Sequence, residues 1–209
     1  MKKYLLSLSI ILLLQSCSID NTAPSELEMD LTHLILDQQS FLAVVNNITD
    51  YPNFSSKKSS IVDGNSTIPE SDLEEILNPL IENGEVIHSE MRAIIYTSEV
   101  YNELSVPERD ALHAEIDELS DDQLAELSFV FNISYYIDQD VNSEIDWDRL
   151  ISCASAAVGI SSIQAIIQNN LGAATIETMI GALKHVGKRY LGWIGVGLMV
   201  YEFINCVYE

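Results

Sequence analysis

The chain has 209 residues, with 32 Asp and Glu against 10 Lys and Arg, a formal net charge of −22 at pH 7, and 47% of its side chains are apolar. An apolar share of that size supports a real buried core, and the length suits one or two domains. The excess of negative charge, with no basic patch to offset it, excludes binding along a nucleic-acid backbone and repels anionic lipid head groups.

Lys2 and Lys3 are followed by an uncharged run from Tyr4 to Leu14, and then by Gln15, Ser16 and Cys17. As a helix that run would be about 16 Å long, roughly half a bilayer core, so it is too short to remain as a spanning anchor. Residues 1–16 therefore read as a signal peptide. Leu14-Gln15-Ser16-Cys17 resembles the lipobox of bacterial lipoproteins, with Gln15 departing from the small residue usual at its position. The resemblance covers residues 1–17. It implies a diacylglycerol thioether on Cys17, cleavage before it, and acylation of the new amino group. Several acyl chains hold a protein to a membrane where one chain holds only marginally. The implied location is the cell envelope, and Ser18 after the cysteine favours the outer membrane over the inner in a cell that has both.

Residues 17–25 read as the lipidated tether. Ser25 and Glu28 form a capping box, and Leu27, Leu31, Leu34, Ile35, Leu42 and Val45 mostly share one face, which predicts a helix over Glu26–Asn46. The pattern dissolves into a flexible loop at about 47–69. Ser71 with Glu74 then opens a helix bearing Leu73, Ile76, Leu77, Leu80 and Ile81. Pro79 is expected to kink or divide that helix and Asn83-Gly84 to stop it. A further helix is expected over Glu85–Asn102. Another begins at Ser105 with Glu108 and Pro107, and a fourth at Ser120 with Gln123, carrying Leu124, Leu127, Phe131 and Tyr135. No stretch alternates with a period of two, so the fold class is all-α.

Charge divides the chain. Residues 18–150 hold 29 acidic and 5 basic side chains, whereas residues 151–209 hold 3 of each. This predicts an acidic helical region at 26–140 and a compact apolar three-helix module at 146–209. The module's first helix starts at Asp146-Trp147-Asp148 and carries small residues at Cys153, Ala157, Ser161 and Ala165. The second covers about Ala173–Val186 and the third Tyr190–Val207. The longest strictly apolar run in the last, Leu191–Tyr201, falls short of the roughly 20 residues needed to span a bilayer.

Beyond Cys17, only Cys153 and Cys206 remain. Outside the cytoplasm such a pair oxidises, which requires their Cα atoms to lie within about 7 Å. The other reading is two small buried hydrophobes that never meet.

Asp138, Asp140, Asn142 and Asp146 supply oxygens at positions 1, 3, 5 and 9 of a calcium loop of the EF-hand kind. Ser143 stands where the loop needs glycine, and Arg149 where it needs a bidentate carboxylate. The segment reads better as an acidic linker whose Asp146 caps the next helix. Glu85-x-x-His88 and Asp110-x-x-His113 echo a two-metal bundle motif, but on consecutive antiparallel helices the histidines would miss each other by roughly 10 Å. No phosphate loop, nucleophile elbow or metal-binding cysteine and histidine spacing is found.

The expectation is an envelope lipoprotein without enzymatic activity, anchored by lipid on Cys17 as its one covalent group, with a binding or structural role and a protein partner. The alternative is a membrane-active, bacteriocin-like or toxin-like protein whose effector is the C-terminal apolar segment. An envelope hydrolase would require a cluster of titrating residues that only folding could assemble.

Overall fold

A computed structural model describes residues 29–51, 69–139, 152–153 and 174–208. Among these residues the chain is all-α: a 3-10 turn at Thr32–Leu34, then α1 (Gln38–Thr49), α2 (Glu70–Thr97), α3 (Glu99–Glu103), α4 (Val106–Ile116), α5 (Asp121–Gln139), α6 (Ile176–Gly187) and α7 (Gly192–Tyr208).

The first segment departs from the expected Glu26–Asn46 helix. Met29 instead forms an isolated antiparallel bridge with Ala174, its N–H donating to the Ala174 carbonyl at 2.9 Å and its carbonyl accepting in return at 3.1 Å. Asp30 then caps the 3-10 turn through the Thr32 N–H at 2.9 Å, and Asp37 caps α1 through the Ser40 N–H at 3.0 Å. Two tertiary bonds take backbone groups that a helix would have used internally. The Leu34 carbonyl accepts from Asn83, and the Leu36 N–H donates to Asn132. With those groups satisfied from outside, the segment gains nothing by winding into a helix. The Ser25 and Glu28 capping box lies outside the described residues, as does residue range 52–68 of the expected loop.

Further along, α2 corrects three expectations. It starts at Glu70 behind Pro69, so Ser71 with Glu74 is not its cap. It runs unbroken through Pro79 and past Asn83-Gly84. Pro79 removes one N–H and so one helical bond, on a half-exposed side where the orphaned carbonyl of the preceding turn can meet water. Gly84 is where α5 crosses α2. A Cβ there would collide with the Leu124 carbonyl and lie 3.0 Å from its Cα, so only glycine admits the crossing. Asn83 fastens the same point. Its amide donates to the Leu34 carbonyl at 2.9 Å, and its Oδ1 accepts from Ser128 at 2.7 Å and Asn132 at 2.9 Å. A dipeptide that elsewhere signals a turn serves here as a helix contact.

Other boundaries follow local chemistry. Ser98 breaks α2 from α3 and caps the Tyr101 N–H at 3.1 Å, which replaces the expected continuous Glu85–Asn102 helix. Ser105 and Glu108 complete both halves of their capping box ahead of α4, with Pro107 in the first turn. At α5, the Ser120 N–H donates to the Gln123 side chain at 2.9 Å.

Residues 124–133 of α5 are all buried, polar ones included, so α5 is the central helix. Phe129 bridges its neighbours: its ring stacks on Phe41 of α1 at 6.0 Å and meets Phe203 of α7 edge-on at 5.8 Å. One hydrophobic core runs from Leu31 to Phe203. Val196, Met199, Val200 and Phe203 of α7 are buried in the same core as Leu73, Leu77 and Leu80 of α2. The charge boundary in the sequence is therefore not a boundary in the core. No helix among the described residues is long and apolar enough to cross a membrane.

Candidate functional sites

Two polar constellations and one disulfide stand out against this core. The first joins the charge-divided halves of the chain. Three side chains on the opening turns of α5 hold the short connection between α6 and α7. Asp122 accepts from the Gly192 N–H at 2.9 Å, where a φ of 62° suits glycine. Gln123 donates to the carbonyls of Gly187 and Arg189 at 3.2 and 2.7 Å. Glu126 accepts from the Arg189 guanidinium at 2.6 Å. From α4, Glu115 pairs with Lys184 at 2.6 Å and Lys188 at 3.0 Å. Lys184, Lys188 and Arg189 are all the basic residues after position 150, and each pairs with a carboxylate of the acidic region.

The electrostatics of this junction are unequal. Lys184 and Lys188 hold the Glu115 carboxyl below its usual range by donating hydrogen bonds to it. Glu126 is only 1% exposed, and burial pushes its carboxyl up to about 7 against the pull of Arg189, with Asp122 adding to the rise. Beside Arg189, the buried His185 Nε2 has no hydrogen-bond partner among the described residues. Burial and then the Arg189 charge favour the neutral ring.

The second constellation lies where α2, α3 and α4 meet. His113 and Asp117, one helical turn apart on α4, are joined Nδ1 to Oδ2 at 2.8 Å. The His113 Nε2 meets the Tyr101 hydroxyl of α3 at 2.8 Å. The Tyr96 hydroxyl of α2 donates to Asp117 Oδ1, which also accepts from Arg92 at 2.9 Å. Burial alone would raise the Asp117 carboxyl, but hydrogen bonds from Tyr96 and His113 and the Arg92 charge bring it below its usual value. The Tyr96 hydroxyl is pushed up to about 12 by burial and by its bond to that carboxylate. Arg109 caps the Tyr101 ring at 5.0 Å and donates to the Tyr101 and Asn102 carbonyls.

The order carboxylate, imidazole, phenol is one that can activate a hydroxyl. Here every oxygen and ring nitrogen of Tyr96, Tyr101, His113 and Asp117 already has a protein partner. The chain of bonds runs from Tyr101 through His113 and Asp117 to Tyr96 and Arg92, and so fastens α3 to α4 and α4 to α2.

The third feature is covalent. Cys153 and Cys206 are disulfide-bonded, with Cα atoms 5.6 Å apart across a sequence separation of 53. Cys153 is 1% exposed, and Cys206 sits in the last turns of α7.

Of the other residues singled out by sequence, Cys17, Asp140, Asn142 and Asp146 lie outside the described residues. Asp138 falls in the last turn of α5. The two histidines that echo a metal motif have separate partners. His88 Nε2 donates to the Ile116 carbonyl at 2.7 Å, and burial holds its ring below the usual pKa. His113 is engaged by Tyr101 and Asp117. No group of three metal-binding side chains assembles among the described residues.

Sequence reasoning missed the Glu126 and Arg189 pair and the tyrosine cluster. The available signals were the basic cluster closing α6 and the turn-spaced His113 and Asp117. The chain matches no protein-family model, and no curated protein or solved structure matches it either.

Proposed function

We propose that the protein is an envelope lipoprotein, anchored by acyl chains on Cys17, whose helical body works by binding a protein partner and not by catalysis. The observation that carries this reading is the leader: two lysines, a short apolar run, and Leu14-Gln15-Ser16-Cys17. Chain geometry is compatible with it. The 12 residues from Cys17 to Glu28 can reach about 40 Å at most, enough to hold a folded body clear of head groups that its charge repels.

The reading of residues 146–209 as a membrane-active effector receives less support. Ile176, Met179 and Leu183 of α6 and Val196, Met199, Val200 and Phe203 of α7 are buried in a core shared with the acidic helices, which keeps those side chains from a bilayer while the body is folded. A liposome leakage assay on the full chain tests that reading.

The main proposal is tested by mass spectrometry of the mature N-terminal peptide and by membrane fractionation. The expected result is a diacylglyceryl and N-acyl mass on Cys17, with Cys17→Ala releasing a folded protein into the soluble fraction. An unmodified sulfur on Cys17, or an uncleaved leader, overturns it.

A further inference from the structure

α7 is the last described helix, and its two ends are fastened differently. Its first residue is tied by the Gly192 N–H to Asp122 of α5. Between the ends it buries Val196, Met199, Val200 and Phe203 in the core. Its last turns, which would otherwise fray because the final carbonyls of a helix lack helical partners, carry the disulfide to Cys153. Phe203 lies one turn before Cys206 and covers the edge of Phe129, the ring that also stacks on Phe41.

We propose that the Cys153–Cys206 bond is a redox-controlled clamp on the end of α7. While it is intact, Phe203 stays seated on Phe129. When a dithiol opens it, the last two turns of α7 loosen and the Phe129 and Phe41 pair becomes accessible.

The step balances as a thiol–disulfide exchange. One thiolate of the dithiol attacks Cys206, the more exposed of the two sulfur-bearing residues, and the bond to Cys153 breaks. The second thiol of the reductant displaces Cys206 and closes its own disulfide. Two electrons and two protons pass to the protein, leaving two thiols. The closed resting state rests on the envelope reading, because a structural disulfide persists outside the reducing cytoplasm.

Hydrogen exchange read by mass spectrometry on the full chain, with and without dithiothreitol, tests the clamp. Reduction should speed exchange of the amides at 200–208 about tenfold or more while amides in the middle of α2 keep their protection. A Cys153→Ser/Cys206→Ser variant should exchange fast at α7 in either condition. Unchanged exchange at 200–208 on reduction overturns the proposal, and so does loss of protection throughout α2, which would mean global unfolding. Peptides from the unreduced protein in which both Cys153 and Cys206 are alkylated overturn it as well. The acyl mass on Cys17 is read from a separate peptide, so failure of the envelope reading and failure of the clamp are distinguishable.

Discussion

Replacing Glu126 by Gln isolates the competition between burial and ion pairing at the α5 junction. Glutamine keeps the shape and an oxygen for the Arg189 guanidinium, now 2.6 Å away, but carries no charge to desolvate. In the folded protein burial lifts the Glu126 carboxyl from its ordinary 4.5 to about 7. Between those two values the folded state holds a proton that the unfolded chain has released, so unfolding sheds a proton. Stability therefore falls as pH rises through that window and levels off above about 7. At about 1.4 kcal/mol for each tenfold change in proton affinity, the gap between 4.5 and about 7 is worth about 3 kcal/mol. His88 and His185 act in the opposite sense. Their folded values lie below the ordinary 6.5, so they withdraw stability as pH falls through that value. They are common to both proteins and cancel in the difference. Urea unfolding followed by circular dichroism from pH 5 to pH 8 should show the wild type losing about 2 to 3 kcal/mol relative to Glu126→Gln as pH rises. Parallel profiles would refute the reasoning, and a wild type that gains on the variant with rising pH would show that Arg189 outweighs burial.

Three further substitutions probe the fold. Gly84→Ala should destabilise by about 3 kcal/mol or prevent folding, because its methyl meets the Leu124 backbone, which has no room to yield; the denaturation midpoint checks this. Asn132→Ala should cost about 2 kcal/mol and speed hydrogen exchange at the Leu36 amide, which loses its 2.8 Å acceptor. Lys188→Ala, by contrast, should change stability by less than about 1 kcal/mol in the same unfolding assay, since its side chain is 65% exposed and Glu115 keeps Lys184.

Two helix starts were legible in neighbouring residues. Ser105 with Glu108 and Ser120 with Gln123 mark α4 and α5 because a cap needs only the side chains within one turn. What escaped was decided at long range. Asn83-Gly84 has the local chemistry of a turn, and only the arrival of α5, some 40 residues later, makes it a crossing point. The stretch before α1 carries a helical pattern, yet Asn83 and Asn132 reach in from two other helices to take its backbone groups. The site residues escaped too. His113 and Asp117 are one turn apart, yet the motif pattern set His113 with Asp110 instead. Glu126 and Arg189, 63 positions apart, share only a sign difference that many other pairs in the chain also have.

The two hydrogen bonds between Met29 and Ala174 also decide how the body would bear a load. A pull transmitted from upstream meets the antiparallel bridge and its two bonds first. Behind them stand Leu31, locked in the interior, and the Leu36 amide moored to Asn132. Force entering there passes to the start of α6 and to the central helix before it reaches α1. The first part to give way would be a few residues of strand-like chain, leaving the helices behind it in place.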